Sequence, residues 1–198
     1  TSFSHISTHS AYLDIENKKA TYTINLVKGQ NYRVVFFAYH SKDNSNEAEY
    51  YNITDLKKIA VYDAVSNNEE RDAFTAYFDI ETGATMQPIK EDIVLYRPFA
   101  QLNLGTEFED WREAVKAGVT IATTKIVVSN VYTTFSAFED AVVGEAKEVT
   151  YTLGEIPTEN LKVTIDGQEK LYKYLALNYM LVGDKKSEKN LTDVEFIW

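Results

Sequence analysis

The sequence predicts an all-β protein that carries one short helix. Three observations point there. Apolar residues alternate at the two-residue period of a strand in most of the patterned segments. Turn signals rich in Gly, Asn and Asp recur at the spacing of sandwich strands. Only one stretch, just after Gly105, combines helical spacing with a matching start and stop. With 198 residues, 44% hydrophobic and 13% aromatic, the chain has apolar material for one or two cores, and disorder is excluded.

The organising stretch is Ile93 to Thr106, I-V-L-Y-R-P-F-A-Q-L-N-L-G-T. Val94, Tyr96, Ala100, Leu102 and Leu104 share a face, and the alternation runs straight through Pro98. Proline has no N–H to give to a ladder, so the strand is expected to be broken or bulged there, at a sheet edge or where the chain changes sheets. Gly105-Thr106 is expected to end it. Residues 1–90 then read as one β domain and residues 91–198 as a second, with Gly83 to Asp92 as the boundary.

In chain order, Thr1 to Ala11 is an unpatterned lead-in. Ala20 to Val27 and Tyr32 to Tyr39 read as a hairpin around Lys28-Gly29-Gln30-Asn31, its second arm apolar on both faces like a central strand. After the polar loop Ser41 to Ala48, Leu56 to Tyr62 is a strand, Asn67 to Asp72 a turn, and Ala73 to Ile80 a strand with Phe74 and Phe78 on one face. Thr106 and Glu109 have capping-box spacing ahead of a helix near 107–117, with Phe108, Trp111 and Val115 on its apolar side and Gly118 as its stop. Further strands are expected over Val119 to Thr124 running into Ile126 to Phe135, then Glu148 to Leu153, Leu161 to Ile165, Leu171 to Val182 and Thr192 to Trp198. Asp166-Gly167 supplies a turn.

Thirty acidic against 20 basic residues, a formal charge of -10, argue against a nucleic-acid partner, which needs clustered Lys and Arg. The absence of cysteine removes disulfides, thiolate nucleophiles and Cys-type zinc sites. No apolar run reaches the roughly 20 residues that span a bilayer. The start at Thr1, with neither methionine nor signal peptide, reads as processed or trimmed.

Catalytic and cofactor motifs are missing: no nucleophile elbow, H-E-x-x-H, Walker loop, dinucleotide glycines or EF-hand loop. No catalytic residue and no cofactor is therefore assigned. His5, His9 and His40 are the only imidazoles. His5 and His9 would pair as ligands only on a helix, which the surrounding Ser and Thr disfavour, so no metal site is assigned either. Glu69, Glu70 and Asp72 read as a solvated turn, and Glu109 and Asp110 as partners of the helix dipole. Tyr50-Tyr51, beside the polar loop, is the candidate ligand contact, as a stacking platform for a glycan. Tyrosine is equally a strand residue with a half-buried ring and a wet hydroxyl. The sequons at Asn52 and Asn190 would matter only in a eukaryotic secretory pathway.

R-P-F-A-Q-L-N-L-G-T, D-W-R-E-A-V-K-A-G-V-T, V-Y-T-T-F and K-Y-L-A-L-N-Y-M-L-V-G-D-K-K, preceded by Y-R-V-V-F-F-A-Y, I-T-D-L-K-K-I and N-N-E-E-R-D-A-F, resemble the fimbrillin-like surface proteins of gut anaerobes. The resemblance covers most of the chain from Ala20 onward, and its motifs mark strand packing and turns. It implies two transthyretin-like β-sandwich domains, the second with the short helix, in an exported, lipid-anchored, non-catalytic protein of the outer-membrane surface. The role implied is a fimbrial (pilus) subunit or an adhesin. Its partners would be neighbouring subunits joined by strand exchange, with a groove beside the Ala20 to Tyr39 hairpin taking the incoming strand, or surface receptors of host or bacterium. The alternative is a glycan-binding surface module using exposed Tyr50 and Tyr51.

Overall fold

A computed structural model describes residues 18–41, 47–62, 64–83, 88–181 and 193–198. In chain order the strands are β1 (Asn31–Tyr39), β2 (Tyr51–Asn52), β3 (Ile59–Val61), β4 (Ala73–Glu81) and β5 (Ala100–Glu107). After the helix α1 (Phe108–Lys116) come β6 (Thr123–Val131), β7 (Thr134–Ser136), β8 (Ala141–Val142), β9 (Lys147–Thr150), β10 (Gly154–Glu155), β11 (Asn160–Ile165), β12 (Gln168–Met180) and β13 (Val194–Ile197). A 3-10 helix at Glu69–Arg71 precedes β4. The protein is mostly β, every strand pair is antiparallel, and α1 is the only α-helix among the described residues.

The strands form four sheets: β1–β4; β10–β6–β13 with β9 also on β6; β11–β12–β5; and β2–β3–β7–β8. The last of these joins segments from both sides of Ile93, since Ile59 pairs with Phe135 and Ala60 with Thr134. One core cluster does the same, uniting Tyr51, Ile59 and Ala73 with Phe135, Ala137 and Leu181. A second cluster is built on Ile126, Val128, Val131, Tyr151 and Met180. The two stretches expected as separate domains therefore share a sheet and a core.

Several local expectations are met. β4, β11 and β13 lie where period-2 alternation puts them, and Asp166 and Gly167, both with positive φ, turn β11 into β12 as a two-residue hairpin loop. Gly118, at φ +90°, ends the last turn of α1.

Others are corrected. Residues 21–27 form no strand, and β1 pairs over its full length with β4 instead of closing a hairpin on them. Tyr22 and Ile24 are exposed, so alternation there buries no face. Upstream of Pro98 only Tyr96 makes a bridge, to Thr75, and β5 begins at Ala100, so the break at Pro98 separates one isolated bridge from a strand. Gly105-Thr106 lie inside β5 and do not end it. Gly105 stands opposite Tyr174 where the β5–β12 register shifts, and a Cβ on it would sit 3.1 Å from the Tyr172 Cβ, so close strand approach explains this glycine. The capping box does not form: the N-cap is Glu107, without a side-chain cap bond, and Glu109 turns to Arg112 at 3.1 Å. Phe108 and Trp111 are half-buried against β5 and β12, but Val115 is 47% exposed.

Candidate functional site

Tyr50 and Tyr51 are neighbours in sequence with different surroundings, Tyr50 at the bend just before β2 and Tyr51 at the first residue of that strand. Tyr51 is 2% exposed. Its ring meets Phe37 edge-on and lies beside Phe99, and its hydroxyl donates to the Arg71 carbonyl. Burial pushes its pKa well above the tyrosine range, against a smaller opposing pull from the Arg71 guanidinium. That position corrects the platform expected from Tyr50-Tyr51: a core tyrosine offers no face to a sugar.

Tyr50 is half-buried, and its hydroxyl donates to Glu70 Oε2 at 2.9 Å. Glu70 sits on the 3-10 helix, whose start is capped by the Asn68 side chain accepting from the Glu70 N–H at 2.9 Å. Beside it, the exposed His40 ring places Nε2 3.9 Å from Glu70 Oε1 and Nδ1 3.7 Å from Glu49 Oε2. One ligand-type atom from each of His40, Glu49 and Glu70 lies within 4.8 Å of the others. The turn read as solvated is therefore two things at once. Glu69 and Glu70 are exposed, while Asp72 takes a bidentate pair from Arg97, whose guanidinium lies over Phe74 and Tyr179.

Behind the 3-10 helix a cavity of about 300 Å³ opens between β3, β9 and the end of β12, lined among others by Tyr62, Arg71, Phe99, Tyr132, Tyr151 and Tyr179. Arg71 is 2% exposed and donates to the Tyr62 carbonyl. Tyr151 donates to the Tyr179 carbonyl at 3.0 Å, and burial pushes its pKa up to about 12.

Sequence spacing missed the grouping of His40, Glu49 and Glu70, since they come from three separate segments that meet only through the β1–β4 pairing and the Tyr51 anchor. His5 and His9 lie outside the described residues.

Residues 2–197 match the family described as "Family of unknown function (DUF6562)". The chain belongs to that family. No curated protein and no solved structure matches it. Among the described residues of this DUF6562 member, no helix is long and apolar enough to cross a membrane.

Proposed function

We propose that this protein is a non-catalytic cell-surface protein that acts through protein–protein contact, as a fimbrial subunit or adhesin of the fimbrillin-like kind. In this reading it is exported and lipid-anchored at the outer membrane. Its sheets pack as two transthyretin-like sandwiches joined along the shared β2–β3–β7–β8 sheet. The sequence motifs support the family likeness, and the edge of β1 supports the mode of action.

β1 pairs with β4 on one side and with no other described strand on the other. The parity of its bonds follows from Thr75, whose N–H and C=O both go to Tyr96 and so point away from β1. Its partner Phe37, and Val35 two residues before, therefore turn their main-chain groups outward while their side chains pack on the core. An apolar nine-residue strand with such an edge recruits an added strand, main-chain bonds giving affinity and alternate side chains giving register. With Tyr51 in the core, the alternative glycan reading would rest on Tyr50 alone.

Val35→Pro removes an outward N–H without breaking a β1–β4 bond. Analytical ultracentrifugation should show concentration-dependent association of the wild type and its loss in the variant, with far-UV circular dichroism unchanged. A wild type that stays monomeric and binds no extended peptide overturns the proposal.

A further inference from the structure

We infer that His40, Glu49 and Glu70 form a binding site for a zinc-class divalent cation. The three ligand atoms converge from three segments, each held from behind. His40 directly follows β1, whose last residue Tyr39 is in register with Ala73, three residues beyond Glu70. Glu70 is fixed by the Asn68 cap and by the Tyr50 hydroxyl. Glu49 precedes Tyr50 and Tyr51, which are tied down by the bond of the Tyr62 N–H to the Tyr50 carbonyl and by the Tyr51 hydroxyl on the Arg71 carbonyl.

One nitrogen of His40 and one carboxylate oxygen from each of Glu49 and Glu70 lie within 4.8 Å of one another, a span that a single ion can bridge. At 3.7 and 3.9 Å the carboxylate oxygens stand beyond hydrogen-bond range of the imidazole nitrogens. Ligands about 2.0–2.1 Å from a tetrahedral zinc lie roughly 3.4 Å from one another. The three ligand atoms lie within 4.8 Å of one another, so closing on zinc requires the side chains to move inward. Two carboxylates and a neutral imidazole carry a charge of -2, which a divalent cation neutralises, and the strongly acidic chain adds a favourable field. The imidazole selects zinc over magnesium or calcium, whose ligand sets are all oxygen. Tyr50 supports the site from outside it: its hydroxyl engages one Glu70 oxygen and leaves the other facing the imidazole, the usual arrangement behind a ligating carboxylate. All three ligands are exposed, so a fourth coordination position stays open to water.

The test is isothermal titration of the purified chain with zinc chloride at neutral pH. The comparison set is His40→Gln, Glu70→Gln, Tyr50→Phe and a control with His5→Gln and His9→Gln together. One zinc should bind per chain, survive the control, vanish with His40→Gln or Glu70→Gln, and weaken by about 10- to 100-fold with Tyr50→Phe. Circular dichroism checks that each variant is folded. No binding to the wild type, or binding that persists in folded His40→Gln, overturns the inference.

Discussion

Asn67 joins the turn before the 3-10 helix to β12, β6 and β10 through four hydrogen bonds. Its φ is +64°, and its N–H donates to the Leu177 carbonyl at 2.9 Å while its Oδ1 accepts from the Leu177 N–H at 2.9 Å. Its Nδ2 donates to Thr124 Oγ1 at 3.0 Å and to the Gly154 carbonyl at 3.1 Å. The side chain thus extends the edge of β12 and ties the 3-10 turn to β6 and β10. Asn67→Ala deletes three side-chain bonds, each worth about 1 kcal/mol net, and strands the N–H of Leu177, a residue 1% exposed. It also places alanine in the left-handed region, at a further ~1 kcal/mol. The expected loss is about 3–5 kcal/mol, a large share of the stability of an ordinary domain. Asn67→Gly loses the same bonds without the strain, so it should be less destabilised than Asn67→Ala by roughly 1 kcal/mol. Urea unfolding with linear extrapolation measures both, with unchanged slopes confirming that only stability has moved. A loss below about 1 kcal/mol for Asn67→Ala, or a glycine variant no better than the alanine one, refutes the reasoning.

Trp111→Ala should cost about 1–3 kcal/mol in urea unfolding, less than the removal of a fully buried aromatic, because α1 lies on β5 and β12 with no fully buried residue. A loss above about 4 kcal/mol would show that the helix is part of the core. Gly154→Ala puts a Cβ 2.0 Å from the Ser66 carbonyl oxygen, so the seam between residues 64–66 and β10 must part. A loss of about 3 kcal/mol or more, with faster hydrogen exchange at the Ser66 N–H, is expected. Stability should also fall in alkali. Tyr151 has a folded pKa near 12, raised by burial, so its contribution is intact below the unfolded value near 10 and is lost as pH rises toward 12. That loss is about 2 kcal/mol by pH 12 and should shrink in Tyr151→Phe when chemical unfolding is followed from pH 9 to 12.

The sequence by itself determined the features whose cause is local. Alternating apolar residues specify β4, β11 and β13, Asp166-Gly167 turns the chain between β11 and β12, and Gly118 ends α1 because only a residue at ease with positive φ completes that turn. Tertiary structure decided the rest. The β1 pattern marks a strand but cannot name its partner, and β4 won over the nearer residues 21–27 because pairing with β4 lets Val35 and Phe37 pack on Tyr51, Ile59 and Ala73. Thr106 and Glu109 have capping spacing, yet Thr106 is held in the β5–β12 ladder, opposite Lys173, and cannot act as a cap. Asn67 reads as a turn residue, and only the approach of Leu177 makes it a clip between sheets. Tyr50 and Tyr51 look alike in sequence, and burial of one ring behind the 3-10 helix separates their roles. His40, Glu49 and Glu70 have no shared local period, so no spacing rule could gather them. They meet because long-range strand pairing brings their three segments to one place.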